Sequence, residues 1–526
     1  MSHIRVLDCT LRDGGYCNEW NFGEKNIQKI VAGLAAAGVN IIECGFLTNK
    51  VIYSPDVSKY SDIDQLQKII PPQITHGEQD YVVMMNYGEY DVSNLPACED
   101  SYLDGIRVAF HKKDLIPALE TCRALKAKGY KVFIQAMVSL SYTDEEFLDL
   151  IRRVNQLDPY AFYIVDSFGM MKKKNLLRMF YMVEHNLADN IIIGFHSHNN
   201  MQLAYSNAQC LIETLTNRSL IIDASVFGMG RGAGNLNTEL LVEYLNENIG
   251  TQYSLKPLLN IIDEILNGFY EKNRWGYSLP NYLSAAHDAH PNYAGYLSAK
   301  NTLTVEAMDE IFSMMLPEKK CEYDKAYIEE LYLKYMERGA VHEEHLSAIK
   351  ETLRGKTILL IAPGKSSVDE QDKISTFLKG NDTIAISVNY KYPYADIAWI
   401  FASNMRRFKQ IPEDVLNRCI ATSNIASEHP YLTVSYFSLL NTVESVRDNA
   451  GLMAIRFLID MGCSHIMLAG FDGYGDYSEE NYAISDMAYS TGKTLAGKMN
   501  QGMCAVIQMY RKLANIDFLT EEKYIH

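Results

Sequence analysis

Eight short apolar runs recur between residues 4 and 227 of this 526-residue chain, each separated from the next by a longer polar or amphipathic stretch. They are IRVLDCT (4–10), NIIECGF (40–46), YVVMMN (81–86), GIRVAF (105–110), KVFIQAMV (131–138), AFYIVDSF (161–168), IIIGFHSH (191–198) and LIIDASVF (220–227). Runs of this length, apolar almost throughout, suit parallel strands covered on both faces by helices. The intervening segments agree. NIQKIVAGLAAAG (26–38), LIPALETCRALKAKG (115–129), DEEFLDLIRRVNQL (144–157) and QLAYSNAQCLIETLTN (202–217) space their apolar residues by three and four. Gly38, Gly129 and Gly194 lie between helix and strand, where a C-terminal cap or a close packing position is expected. Eight βα units in about 250 residues match a (β/α)8, or TIM, barrel. A doubly wound open sheet is the alternative, but TLRDGGY follows the first run where a dinucleotide site needs G-x-G-x-x-G.

A barrel places its chemistry at the C-terminal ends of its strands. There the sequence carries Thr10-Leu11-Arg12-Asp13, Glu43, Asp166-Ser167 and, after the seventh run, His196-Ser197-His198. On a strand, positions two apart share a face, so the two imidazoles can take neighbouring positions on one divalent ion. Taken singly, each residue has a plainer role. The histidines can cap a loop, Asp13 can close a turn, Arg12 can pair with Glu43, and Asp166 can cap a helix. An acid, a guanidinium, a second acid and an HxH pair on one rim point together to metal-assisted chemistry. After the eighth run comes GMGRGAGNLNTE (228–239), a glycine-dense loop entering a helix. It is read as a flexible connection, a backbone phosphate cradle, or a device that brings the Asn235 amide oxygen over the mouth.

Composition bounds the setting. A net charge of −16 argues against nucleic acid or an anionic membrane surface as a general partner. No apolar run reaches the roughly 18 residues of a spanning helix and no signal-like start is present, so a cytoplasmic protein is expected. The ten cysteines lack any CxxC pairing and suit reduced thiols.

The TLRDGG stretch, Glu43, the HSHNN run and the GAGN-x-x-TE loop resemble the metal-dependent aldolase and lyase family. That family includes 3-hydroxy-3-methylglutaryl-CoA lyase, 4-hydroxy-2-oxovalerate aldolase and the isopropylmalate and homocitrate synthases. The resemblance covers roughly residues 1–300. It implies a TIM barrel with a divalent metal, manganese or magnesium, held by Asp13, His196 and His198, with Asn235 joining as in the lyase branch. Arg12 and Glu43 match the family's rim pair, and Asp166-Ser167-Phe168-Gly169 is similar to a segment in which the serine helps seat pyruvate. The implied reaction is carbon–carbon cleavage of a 2-oxo acid through an enolate; an acyl-CoA condensing synthase is the alternative. Two departures stand out. The oxovalerate aldolases carry a histidine base where this chain has Tyr16, and the lyase branch has a loop cysteine where this chain has Arg231. Tyr16 is read either as an acid or base or as an aromatic packed on substrate.

Residues 1–252 are therefore expected to form the catalytic barrel and 253–356 a helical extension and linker. In PNYAGYLSAKN (291–301), YAGY resembles a helix that covers the barrel mouth in oxovalerate aldolases, making Tyr293 and His290 candidates for substrate contact or for packing. A second strand–turn–helix–strand pattern starts at TILLIAPG (357–364) and continues through DTIAISVNY (382–390), IAWIF (397–401), NAGLMAIRFLIDMG (449–462) and HIMLAGFDGYG (465–475). Residues 357–526 are expected to form a Rossmann-like α/β domain. Its APGKSS turn, SVNY run and strand into Phe471-Asp472 look similar, diffusely, to sialyltransferase-like and pterin pyrophosphokinase-like domains. A nucleotide or nucleotide-sugar partner is expected there, with Ser366, Ser367 and Asp472 as contacts or merely as a cap and a loop acid. A homo-oligomer is also expected. A barrel that does not turn over, with function in the C-terminal domain, is the remaining reading.

Overall fold

The computed structural model describes residues 4–70, 79–214, 216–300, 302–339, 341, 345–380, 382–475, 481–483 and 493–522. The chain divides into two compact units, Met1–Lys325 and Ala326–His526. The helical readings of 202–217, 291–301 and 321–356 each include positions outside the described residues.

In the first unit, β1 (Ile4–Asp8), β2 (Ile41–Leu47), β4 (Asp80–Asn86), β5 (Gly105–Phe110), β6 (Lys131–Ala136), β7 (Ala161–Asp166), β8 (Ile192–Ser197) and β9 (Leu220–Ala224) pair in parallel, and β1 closes on both β2 and β9. The result is an eight-stranded TIM barrel, with a two-residue strand β3 (Lys59–Tyr60) added beside β2. Helices such as Glu24–Ala36, Leu115–Ala127, Asp144–Leu157, Lys173–Asn186, Ala204–Glu213 and Thr238–Asn248 follow six of the strands. After β2 and β4 the helical turns of the described crossovers are 3-10 turns, such as Ile63–Lys68 and Val92–Asn94.

The period of two sorts the side chains into two layers. Val6, Ile42, Val83, Ile106, Val132, Ile164, Ile193 and Ile222 face the helices, while Leu7, Ile41, Val82, Phe133, Tyr163 and Ile221 fill the barrel interior. Glu43, Arg107, Gln135, His196 and Asp223 share the inward parity. Gly194 is such a packing position, since a Cβ there would lie 2.3 Å from the Tyr163 ring.

Five strands, β1, β6, β7, β8 and β9, end before their apolar runs do at the C-terminal side. After β1, Asp8 accepts from the Thr10 amide, and the Arg12 and Asp13 amides return to Cys9 O. Thr10–Asp13 is accordingly one helical turn and not the end of the strand. The cysteines are free thiols. Among the described residues no helix is long and apolar enough to cross a membrane.

The second unit contains a seven-stranded parallel sheet in the order β14-β13-β12-β11-β10-β15-β16. Its strands are β10 (Thr357–Ile361), β11 (Thr383–Val388), β12 (Trp399–Ala402), β13 (Cys419–Thr422), β14 (Leu432–Val434), β15 (His465–Ala469) and β16 (Asn515–Phe518). The chain starts at β10, winds outward to β14, and returns across β10 to β15, so the order reverses between β10 and β15. Strands β13, β14 and β16, of three or four residues each, are not among the runs read from the sequence.

Candidate metal centre

Asp13, His196 and His198 come together at the C-terminal mouth of the barrel. One ligand atom from each lies within 4.8 Å of the others, and all three residues are buried. They arrive by different routes. Asp13 ends the helical turn after β1, and His196 sits in β8 facing inward. His198 lies just beyond β8, bridged to Asn235, with its ring perpendicular to that of His196 at a centroid distance of 5.1 Å. The turn is held from both sides. Trp20 Nε1 donates to Arg12 O at 2.7 Å, and Ser58 Oγ donates to Leu11 O at 2.7 Å. Trp20 lies where a side chain on Gly15 would be, 2.1 Å from its ideal Cβ.

An alternating chain of charge links the first ligand to the second through the barrel interior. Arg12 Nη1 donates to Asp13 Oδ1 at 2.6 Å, and Arg12 Nε donates to Glu43 Oε2 at 2.8 Å. Arg107 Nη1 pairs with Glu43 Oε1 at 2.9 Å, at an angle outside hydrogen-bond geometry. Arg107 Nη2 donates to Asp223, and Asp223 Oδ2 lies 3.0 Å from His196 Nδ1. With Nδ1 facing a carboxylate, His196 turns Nε2 toward the centre, as an oriented ligand requires. Arg107 and Asp223 are absent from the sequence-based site. Their signal is a charged residue in the middle of an otherwise apolar strand, which inward parity would have placed beside Glu43.

Electrostatics suit a cation. Burial alone would raise Asp13, but His198, Arg12 and His196 outweigh it and hold the carboxyl well below its usual range. Burial pushes His198 down to about 3 against the pull of Asp13, so the imidazole is neutral and has a lone pair to give. Burial disfavours the Arg12 charge, but Glu43 and Asp13 more than offset it.

The loop after β9 is pinned. The amides of Gly228, Met229, Ala233, Gly234 and Asn235 donate within the protein, the third to Asn200 Oδ1. With those N–H groups engaged, the loop is a fixed element and not a loose connection. Asn235 Nδ2 donates to Asp13 Oδ2 at 2.7 Å, and its buried Oδ1 has no hydrogen-bond partner among the described residues. Only glycine fits at 230, where a Cβ would lie 2.6 Å from Asp13 Oδ2. One carboxylate, two imidazoles and an orphaned amide oxygen form a donor set that fits a divalent ion.

The other sequence-based candidates divide. Tyr16 is at the mouth, 42% exposed, its ring edge-on to Trp20 and 5.4 Å from the Arg231 guanidinium carbon. Ser167 is there too, its Oγ accepting from the Val138 amide at 2.9 Å and its carbonyl from Arg231 Nη2 at 3.3 Å. Asp166 pins its own turn by accepting from the Met170 and Met171 amides. Tyr293 is drawn away. It is fully buried, and its hydroxyl engages Lys319 O, Glu322 O and the Asp324 amide, which is a packing role. His290 packs edge-on to Phe168 at 5.3 Å, beside the mouth. In the second unit, Ser366 donates through N and Oγ to Asp472, and its Oγ also meets Thr520. The serine and the acid thus engage each other.

The chain matches the HMGL-like family model over residues 3–265. A 4-hydroxy-2-oxovalerate aldolase of Geobacillus genomosp. 3 is 27% identical over 270 residues, half of this chain and 77% of that protein. An oxaloacetate decarboxylase of Mycobacterium tuberculosis is 25% identical over 241 residues, 46% of this chain and 69% of the other. Among solved structures, the N-terminal domain of a Bacteroides vulgatus protein, provisionally described as an aldolase, is 27% identical. It covers 56% of this chain and 96% of that one, with a TM-score of 0.47.

Proposed function

Given that the chain belongs to the HMGL-like family, we propose that it is a divalent-metal-dependent aldolase that cleaves the Cα–Cβ bond of a 2-oxo acid and leaves an enolate. The observation that carries this reading is the buried Asp13, His196 and His198 cluster with Arg12 hydrogen-bonded to its carboxylate. A bound ion supplies Lewis acidity at the 2-oxo group. Manganese or magnesium suits the oxygen and imidazole donors. The nearby thiols are otherwise engaged, Cys9 with Ala224 O and Cys17 with Gly230 O.

Arg12 keeps one donor in reserve. Its buried Nη2 has no hydrogen-bond partner among the described residues, while Nε and Nη1 are fixed by Glu43 and Asp13. A guanidinium held in this way meets negative charge developing on the 2-oxo oxygen without reorganising. Glu43 sets its plane, and Asp223 sets the His196 ring. Ser167 contacts the pyruvate portion, and Tyr16, at the open side of the mouth, carries the proton in or out. We assign catalysis to residues 1–252, support to 253–356 and a nucleotide or nucleotide-sugar partner to 357–526. The reversal of strand order between β10 and β15 supports that last assignment, since open parallel sheets bind ligands at such a point.

Purified protein with manganese is expected to move solvent deuterium into the methyl group of pyruvate. Exchange no faster than in His196→Ala would refute the reading. Calorimetric titration of the full chain with CTP tests the second unit, and no heat of binding would withdraw the nucleotide assignment.

A further inference from the structure

Arg231 stands at the mouth, and among the described residues no carboxylate forms an ion pair with it. It projects from the pinned loop after β9, and its guanidinium lies over the Tyr16 ring with its carbon 5.4 Å from the centroid. Its Nη2 donates to the Ser167 carbonyl at 3.3 Å, and its buried Nε has no hydrogen-bond partner among the described residues. A guanidinium with a desolvated, unpaired N–H is costly unless something that enters the site completes it.

The surroundings point the same way. Tyr16 follows β1, His111 follows β5, Ser167 follows β7 and His290 enters from the helices beyond the barrel. The charge of Arg231 is felt at Asp13, His198, His111 and His290. Arg12 Nη2, and Gln135 Nε2 at the last inward-facing position of β6, are among the other buried donors of the barrel that have no hydrogen-bond partner among the described residues. Arg12 is already balanced by Glu43 and Asp13 and serves the 2-oxo end of a substrate. Arg231 is a second cation, over the open side.

We propose that Arg231 recognises a second carboxylate, at the end of the substrate remote from the 2-oxo acid group, so that the preferred substrates are 2-oxo dicarboxylic acids. A single guanidinium matches the one charge of a carboxylate and can bind it through two N–H groups. The neighbouring His290 adds no cation, because burial and Arg231 itself push it down to about 3. The proposal rests on the aldolase reading for the identity of the first half of the substrate, and its test is separable from that reading.

Two probes of equal chain length, 2-oxoglutarate and 2-oxopentanoate, differ only in a terminal carboxylate or methyl. Titration calorimetry on the full manganese-loaded chain is expected to show 2-oxoglutarate bound at least about tenfold more tightly. Arg231→Met is expected to erase the difference and Arg231→Lys to keep part of it, with thermal melting checking that both variants are folded. Equal binding of the two probes, binding of neither, or a preference that survives Arg231→Met would each overturn the proposal. Pyruvate deuterium exchange separates the two ideas. Exchange without probe discrimination removes only the second carboxylate, whereas discrimination without exchange removes the aldolase reading and leaves anion recognition standing.

Discussion

Replacing Arg107 by methionine tests whether the buried charge chain holds the centre together. Arg107 is fully buried, and so are the two carboxylates it joins, Glu43 and Asp223. Removing the cation strands both acids inside the barrel, a change that costs about 3–5 kcal/mol for a buried pair broken on one side. Against domain stabilities of about 5–15 kcal/mol that is a large share. Equilibrium urea unfolding at pH 7.5 should show it. The loss should also depend on pH. Burial raises Asp223, and Arg107 with His196 holds it below its ordinary value. Without Arg107 its folded pKa rises above the unfolded value of about 3.9. The variant's deficit is then smallest below that value and grows as the pH rises through the new folded pKa. Metal affinity should fall about 10- to 100-fold, because the carboxylate that orients His196 loses its own anchor. A stability loss below about 1 kcal/mol that is flat with pH, together with wild-type metal affinity, would refute this account of the interior.

Three further outcomes are expected. Gly194→Ala should destabilise the first unit by about 1–3 kcal/mol, since the new methyl group meets the Tyr163 ring; Tyr163→Leu in the same chain should recover part of the loss, read by denaturant midpoint. Asn235→Ala should weaken manganese binding in calorimetry by removing the orphaned buried oxygen, while Asn235→Asp keeps an oxygen there and retains more affinity. Burial raises Asp166 from 3.8 to about 6, so its contribution to stability is full below pH 3.8 and lost as the pH rises through 6; that part of the slope should vanish in Asp166→Asn.

The barrel was legible because its signal is repeated. Eight buried runs with helical spacing between them point to one architecture, and GIRVAF is a strand over the same residues in sequence and structure. Asp13, His196 and His198 were legible for a related reason: polar groups that interrupt apolar strands at their C-terminal ends have few places to go. Tyr293 was not, because a tyrosine on a helix can turn either way, and hydrogen bonds to Lys319 O and Glu322 O settle it. Nor was the pinning of the glycine loop, which rests on Asn200 and Asn199, residues that follow a different strand.

By itself the sequence determined local matters in the first unit: which stretches form the eight barrel strands and which chemically capable residues stand at or just beyond their ends. These follow from periods of two and of three to four, and they need no knowledge of neighbours. Tertiary structure alone decided the partnerships. Glu43, Arg107 and Asp223 lie on three strands, and closure of the barrel brings them into one chain of charge from Asp13 to His196. The pairing of charges depends on distances across the barrel, and those exist only once all eight strands have closed.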